Sequence, residues 1–464
     1  MSKRGHITRF GLRNFKPFRF LPDLELRPLT VLCGANSSGK SSILQSLVLL
    51  KQSSLQSPIE GCLNFNGKYV NLQDFSKTVS DFDTSLSTEF RFSLEHSVHS
   101  VVIDTAIRIV VGRGEGGEYP VVREFELTAT SHGESIPSCH FLVREGITRH
   151  FEIKEPQRLK SAAAELFTIP KNAKVVFDGL WPKIIEIKGP RRESEFLPLS
   201  IFLDDNYAIE VLADSLRNRL TYLGPIRADP RPFYPIDLTL DIECRGEGTI
   251  PYLLRHAKDR VTYRLSATGE TRRASLLEAL NAWLRELQIT DGLTINPVEK
   301  SGYTAALHTP RVQSRTVDLA QVGFGISQIL PVLTIGLAGP DDGLILYEQP
   351  EIHLHPRLQA GLADFLLCSA QSGRTILLET HSDHLINRLR RRIAEDPTGE
   401  LAQAVQILFV HPGTEDDPGS YVESLKIDES GTILNAPHDF FPEAADDAHA
   451  ILQARRSRDL KRPQ

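Results

Sequence analysis

The chain has no apolar run approaching the roughly 18 residues that a membrane-crossing helix needs, and its basic start, MSKRGHITRFGLRNF, leads into no long apolar segment. It has little cysteine. The five present (Cys33, Cys62, Cys139, Cys244, Cys368) are an odd number without a CxxC pair, which excludes a disulfide frame and a zinc site. Reduced, buried thiols in a cytoplasmic protein with no membrane contact are the expectation. Sustained heptads are absent, so no long coiled coil is built. There is no basic excess either: 53 Lys and Arg stand against 59 Asp and Glu, a net charge of -6. That excludes coating nucleic acid by bulk charge and leaves a local basic groove open. What is there is ordinary globular composition, 41% hydrophobic and 24% charged, in 464 residues.

The stretch Leu32 to Ser42, LCGANSSGKSS, carries the first chemistry. Residues 34–41 fit G-x-x-x-x-G-K-[ST], a pattern that needs a strand before it and a helix after it. Both are predicted: PLTVLC runs into Gly34, and SSILQSLVLLKQSSL puts Ile43, Leu44, Leu47 and Leu50 on a helical rhythm. Glycines at both ends let the backbone curl, so the N–H groups of Asn36, Ser37, Ser38, Gly39 and Ser42 point at phosphate oxygens. Lys40 is read as holding the β- and γ-phosphates of ATP, and Ser41 as giving its hydroxyl to Mg²⁺.

Three stretches far down the chain complete the reading. GLILYEQPEIHLHP is an apolar strand ending on carboxylates, with Glu348 as the metal-side acid and Glu351 close behind. TILLETHSDHLINRLRRR repeats the arrangement and presents His381 where a γ-phosphate contact would be. In DLAQVGFGISQILPVL, Gly325, Ser327 and Gln328 open an apolar helix, a second anion-binding start. Two such starts are more than one nucleotide needs, so each reads as half of a site completed by another copy.

LRNFKPF, GANSSGKSS, YLGPIR, VGFGISQILPVL, EQPEIHLHP and ETHSDHL together resemble the SMC-like branch of ABC ATPases, near the OLD and Septu-type bacterial defence ATPases. The resemblance covers about residues 5–50 and 222 onward. It implies an α/β P-loop NTPase of ABC/SMC-head type with a β-rich N-terminal lobe and a compact mixed insertion. It also implies a head-to-head homodimer, or a higher oligomer built on it, sandwiching two ATPs. Ser327 of one copy would face the P-loop of the other, His381 would be the switch histidine, and His355 would lie in the loop crossing the dimer. One position departs from the pattern: where a catalytic glutamate follows the acid, this chain has Gln349. An amide orients water but accepts no proton from it. Slow, switch-like turnover, a base supplied by Glu351 or another residue, and a substitution that traps ATP all remain open.

The expected boundaries are 1–80 for the N-terminal ATPase lobe and 81–220 for the β-rich insertion. The C-terminal ATPase lobe takes 221–410 and a strand-helix extension 411–464. Gln73 stands where a Q-loop glutamine would reach Mg²⁺, Arg227 is a candidate phosphate contact or a packing arginine, and Trp283 reads as core. Fewer than 85 residues follow His381, leaving no room for the Toprim nuclease domain of OLD proteins, and Asp446-Asp447 reads as a solvated helix face. Two functions are carried forward. One is a sensor ATPase of antiphage defence controlling a separately encoded effector such as a nuclease. The other is a DNA-end or repair ATPase, with RLRRR and GPRRE as its phosphate contacts.

Overall fold

The computed structural model describes residues 5–56, 61–98, 101–113, 120–131, 134–142, 150–154, 174–188, 194–198, 206–236, 241–298, 301–308, 316–437 and 440. The helix predicted after Phe441, Asp446-Asp447 and the GPRRE cluster lie outside them.

The strand Gly5–Phe15 pairs antiparallel with Phe18–Glu25 across the Lys16-Pro17 turn and, on its other edge, with Thr88–Val98. Hairpins then extend it through Val101–Arg113, Pro120–Ser131, Glu134–Leu142 and His150–Lys154 into one seven-stranded sheet. The sequence predicts a boundary at residue 80; the sheet runs straight across it. Strand pairing propagates wherever an edge with alternating apolar residues is offered, and Phe10 and Phe92, 5.1 Å between ring centroids, join the two sides. Lys174–Asp178, Trp181–Lys188 and Ser194–Pro198 form a separate antiparallel sheet.

The central sheet has six strands in the order Leu220–Leu223, Leu344–Glu348, Thr375–Glu379, Leu29–Gly34, Val405–His411, Tyr421–Leu425; the first five are parallel and the last antiparallel. Both faces are covered, so its strands read as continuous apolar runs and not as alternation. Leu344 and Leu346 join the core that holds the helix Lys40–Leu55, while Ile345 and Tyr347 join the core of the C-terminal helices Leu276–Glu286, Phe324–Ala338, Pro356–Ala370 and Asp383–Glu395. Trp283 is core, edge-on to Phe365 at 5.1 Å.

Lys40–Leu55 is buried around almost its whole circumference, because it lies between the central sheet and the seven-stranded one. Its serines satisfy their hydroxyls internally: Ser53 and Ser54 donate to the carbonyls of Leu49 and Leu50, each at 2.7 Å. Among the described residues no helix is long and apolar enough to cross a membrane. Cys33 and Cys368 are free and buried, Cys62 is buried, and Cys244 is free and half-buried; Cys139 has no described side chain.

Candidate nucleotide site

All the motif residues are carried to the carboxyl end of the central sheet by short turns. Gly34 leaves its strand at φ 136, and a Cβ there would stand 2.3 Å from the Val410 carbonyl oxygen. Gly39, at φ 105, would place a Cβ 2.7 Å from Pro17 Cγ. Both positions therefore require glycine. Between them Ala35, Asn36 and Ser37 are exposed and Ser38 is buried, its hydroxyl without a partner. The helix then starts with no capping side chain and no acid in its first turn, which leaves its amides and its positive end available to an anion. This is the geometry a polyphosphate needs.

Lys40 is 3% exposed, and its ammonium donates to the carbonyls of Gly34 at 3.1 Å and Ala35 at 2.6 Å. Burial lowers its pKa, and the nearby Glu379 works against that shift. Glu379 is held in register with Glu348 on one side and Leu32 on the other. Burial raises its pKa, and the neighbouring Ser41 hydroxyl, then the Lys40 ammonium, oppose that rise. Glu348 is 5% exposed, and desolvation, then the charge of Glu379, raises its pKa to about 7. The Tyr222 hydroxyl and the Lys16 ammonium oppose that rise. Lys16 in turn donates to Gln45 Oε1 at 2.5 Å.

Glu351 Oε1 accepts the His381 main-chain N–H at 2.9 Å, while its buried Oε2 has no partner. Its pKa is raised by burial despite that bond. Gln349 sits in the turn at φ 43, its N–H on the Glu379 carbonyl at 2.9 Å. Arg227 is buried beneath that turn, donating to the carbonyls of Glu348 and Gln349 at 3.4 and 3.3 Å. Burial lowers its pKa to about 10. Its Nε and Nη1 are buried without partners. His381 is exposed at the rim, its pKa lowered by desolvation and then by the charge of Lys40.

The structure thus gathers Lys40, Ser41, Glu348, Glu351 and His381 around one end of the sheet, with Gln349 in the connecting turn. Gln73 is exposed, at φ 67, its main chain held to Asn66 and Asn71. Ser327 and Gln328 lie near the start of the helix Phe324–Ala338, which begins with no capping side chain. Ser327 is 6% exposed and lines a cleft of about 300 Å³ with Arg231, Glu247 and Pro331, while Gln328 is fully covered. The open part of that start is Gly323, beside which an added Cβ would meet nothing, and the half-buried Gly325. His355 caps the helix Pro356–Ala370, its ring accepting from the Arg357 N–H at 3.3 Å. Three of the RLRRR arginines have acidic partners, Arg388 and Arg392 on Asp364 and Arg391 on Glu395, while Arg390 donates to the Gly431 carbonyl.

Glu379, Tyr222 and Lys16 were not predicted as site residues. ETHS pointed at Glu379 by position, but only the sheet order puts it between the P-loop strand and the acid strand. Tyr222 and Lys16 lie 126 and 332 residues from Glu348 and carry no sequence signal toward it.

The buried Glu348 Oε1 and Glu379 Oε2 have no partners, and Ser41 stands beside them, a hard oxygen set that suits a Mg²⁺ shared with phosphate. Among the described residues no three acidic or ligating side chains converge on one point, which also suits an ion completed by phosphate and water.

Two family models match the chain: "AAA ATPase domain" over residues 6–174, and "AAA domain, putative AbiEii toxin, Type IV TA system" over residues 160–387. No curated protein matches. Among solved structures, the SmcHead bound to the C-winged helix domain of ScpA is 12% identical, with 92% of this chain and 99% of that one covered and a TM-score of 0.46. The SMC head domain from Thermotoga maritima is 11% identical, with coverage of 91% and 100% and a TM-score of 0.39. The Smc head domain with an extended coiled coil bound to the C-terminal domain of ScpA, derived from Pyrococcus furiosus, is 10% identical, with coverage of 98% and 100% and a TM-score of 0.43. The chain is an ATPase, with an α/β fold whose central parallel sheet carries the P-loop strand, turn and helix.

Proposed function

We propose that the protein binds ATP with Mg²⁺ in the Gly34–Ser42 cradle, dimerises on it, and serves as the sensor ATPase of a bacterial antiphage defence system that controls a separately encoded effector. The observation that carries the nucleotide part is the cradle itself: two obligatory glycines and an uncapped helix start, with Lys40 and Ser41 facing the unpartnered carboxylates of Glu348 and Glu379. The AbiEii-type description of the match over residues 160–387 supports the defence setting. Direct action on DNA is the second reading; three of the RLRRR arginines pair with Asp364 and Glu395, which weakens that cluster as a phosphate-binding patch.

In this reading Lys40 would leave the loop carbonyls for the phosphates, and Ser41, Glu348 and Gln73 would hold the ion. Bound Mg²⁺ would neutralise phosphate charge during transfer to water. His381 stays neutral at physiological pH and can accept or donate at the γ-phosphate end. Gln349 orients water without taking its proton, so turnover is slow and the ATP state is long-lived. The exposed Gly323 end of the signature helix presents its amides to the P-loop of a second copy, with Ser327 and Gln328 just behind it. Shared ATP then converts binding energy into dimer geometry.

Co-expression with the genes beside it, followed by native mass measurement with and without ATP, tests the proposal. A complex with a second protein supports the sensor role. A lone dimer seen only with ATP, with DNA-stimulated turnover, overturns it in favour of the DNA-acting reading. Ser327→Arg should abolish the ATP-linked rise in mass; an unchanged mass shift would remove Ser327 from the composite site.

A further inference from the structure

We infer that Arg227 is a positioning residue for hydrolysis: from beneath the turn that follows the acid strand it pins the two peptide planes on either side of Gln349, and so aims the Gln349 side-chain amide. This rests on the reading of Gly34–Ser42 as an ATP cradle and of Gln349 as the residue that orients water.

Arg227 follows the strand Leu220–Leu223, which runs parallel to Leu344–Glu348 with Leu223 opposite Tyr347. The side chain is 3% exposed. A guanidinium carries five N–H donors, and here only Nη2 finds acceptors, the carbonyls of Glu348 and Gln349 at 3.4 and 3.3 Å, while Nε and Nη1 are buried without partners. Donors left unmet in the interior weaken a fold, and an apolar side chain of similar length would fill the space without that cost. Packing alone therefore does not account for an arginine; the two bonds do. The peptide plane between Glu348 and Gln349 is held at both polar ends, its carbonyl by Arg227 and its N–H by the Glu379 carbonyl at 2.9 Å. The nitrogen of the next plane belongs to Pro350 and donates nothing, so its carbonyl is its one polar handle. That carbonyl, of Gln349, accepts Arg227 Nη2 and the Ile352 N–H at 3.2 Å. The dihedral angles of Gln349 are the relation between these two planes. They include a φ of 43, in the left-handed region that a glutamine enters only when its surroundings impose it. One nitrogen shared by both carbonyls imposes it. Burial lowers the Arg227 pKa only to about 10, so the charge that strengthens both bonds is present at neutral pH.

The test is ATP affinity by calorimetry beside single-turnover hydrolysis, for the wild type, Arg227→Met, Arg227→Lys, Gln349→Ala and the double variant Arg227→Met/Gln349→Ala. Arg227→Met should slow hydrolysis about tenfold or more, with ATP affinity kept within about twofold. Arg227→Lys should recover part of that rate, since an ammonium still donates to a carbonyl of the turn but lacks the planar fork. The double variant should be no slower than Gln349→Ala, because without the amide there is nothing left to aim. Hydrolysis at the wild-type rate in Arg227→Met overturns the inference, as does a double variant slowed by the full product of the two single losses. A loss of ATP affinity as large as the loss of rate also overturns it, since that is what a collapsed site gives. Should Arg227→Met not fold, Arg227→Lys and its double with Gln349→Ala carry the test on the same criteria. If the wild type binds no ATP, the cradle fails and the inference with it; if Gln349→Ala hydrolyses as fast as wild type, it is the water-orienting reading of Gln349 that fails. If Gln349→Ala is slow and Arg227→Met is not, the inference alone fails.

Discussion

One helix, Lys40–Leu55, carries a buried lysine at each end, and the two do opposite jobs. Lys40 and Lys51 each donate to two main-chain carbonyls: Lys40 to Gly34 and Ala35, Lys51 to Arg217 and Leu220, both at 2.8 Å. Burial lowers both pKa values, that of Lys51 to about 8. The difference is in the neighbours. Lys40 lies on a loop of positive-φ residues with the unpartnered carboxylate of Glu379 nearby, so its present bonds can be exchanged for stronger ones to phosphate. Lys51 lies at a closed joint. Arg217 donates to the Ser54 and Asp178 carbonyls, and Trp181 Nε1 donates to Ser54 Oγ at 3.1 Å, fastening the helix end to the three-stranded sheet. Identical local chemistry is a ligand contact at one end and a rivet at the other.

Breaking the comparison should separate affinity from stability. Lys40→Ala should cost about 100-fold or more in ATP affinity, because charge-assisted bonds to phosphate are lost, with little change in melting temperature. Equal ATP affinity in calorimetry would refute the cradle. Lys51→Met should leave ATP affinity alone and destabilise the fold by about 2 kcal/mol, since two carbonyls lose their donor; chemical denaturation measures it. That cost should grow with pH. A lysine depressed to about 8 binds fewer protons than its unfolded counterpart between that value and 10.5. Wild-type stability relative to Lys51→Met therefore rises across that window, by up to about 3 kcal/mol, and the gain is lost as pH falls through 8. A pH-independent difference would mean that the two carbonyl bonds fully restore the amine. The smallest effect sharpens the catalytic end: Gln349→Glu should raise single-turnover hydrolysis about tenfold, and no rise would show that position 349 is not where a base acts.

Much of the site was legible. Residues 34–41 announced both the cradle and its glycines, and LILYEQPE and ILLETHS announced strands ending in acids. Illegible were the partners supplied by distant segments: Tyr222 on Glu348, Lys16 on Glu348, Arg227 under the Gln349 turn. None has a spacing that reports contact, because contact depends on sheet order. The RLRRR arginines show the reverse error. A charge run looks free in sequence, while Asp364 and Glu395 answer three of its arginines once helices Pro356–Ala370 and Asp383–Glu395 pack.

The sequence by itself determined the local elements: the P-loop turn, whose two glycines no other residue can replace, the apolar parallel strands, and the helix starts. These depend on backbone conformation and on periodicity, which neighbours in the chain dictate. The tertiary structure alone decided which acid answers which P-loop side chain, that Ser327 turns into a cleft, and that the β-rich insertion continues the first sheet. Those outcomes depend on strand order and on which faces are covered, and residues hundreds of positions apart settle them only when the two sheets close on the helix between them.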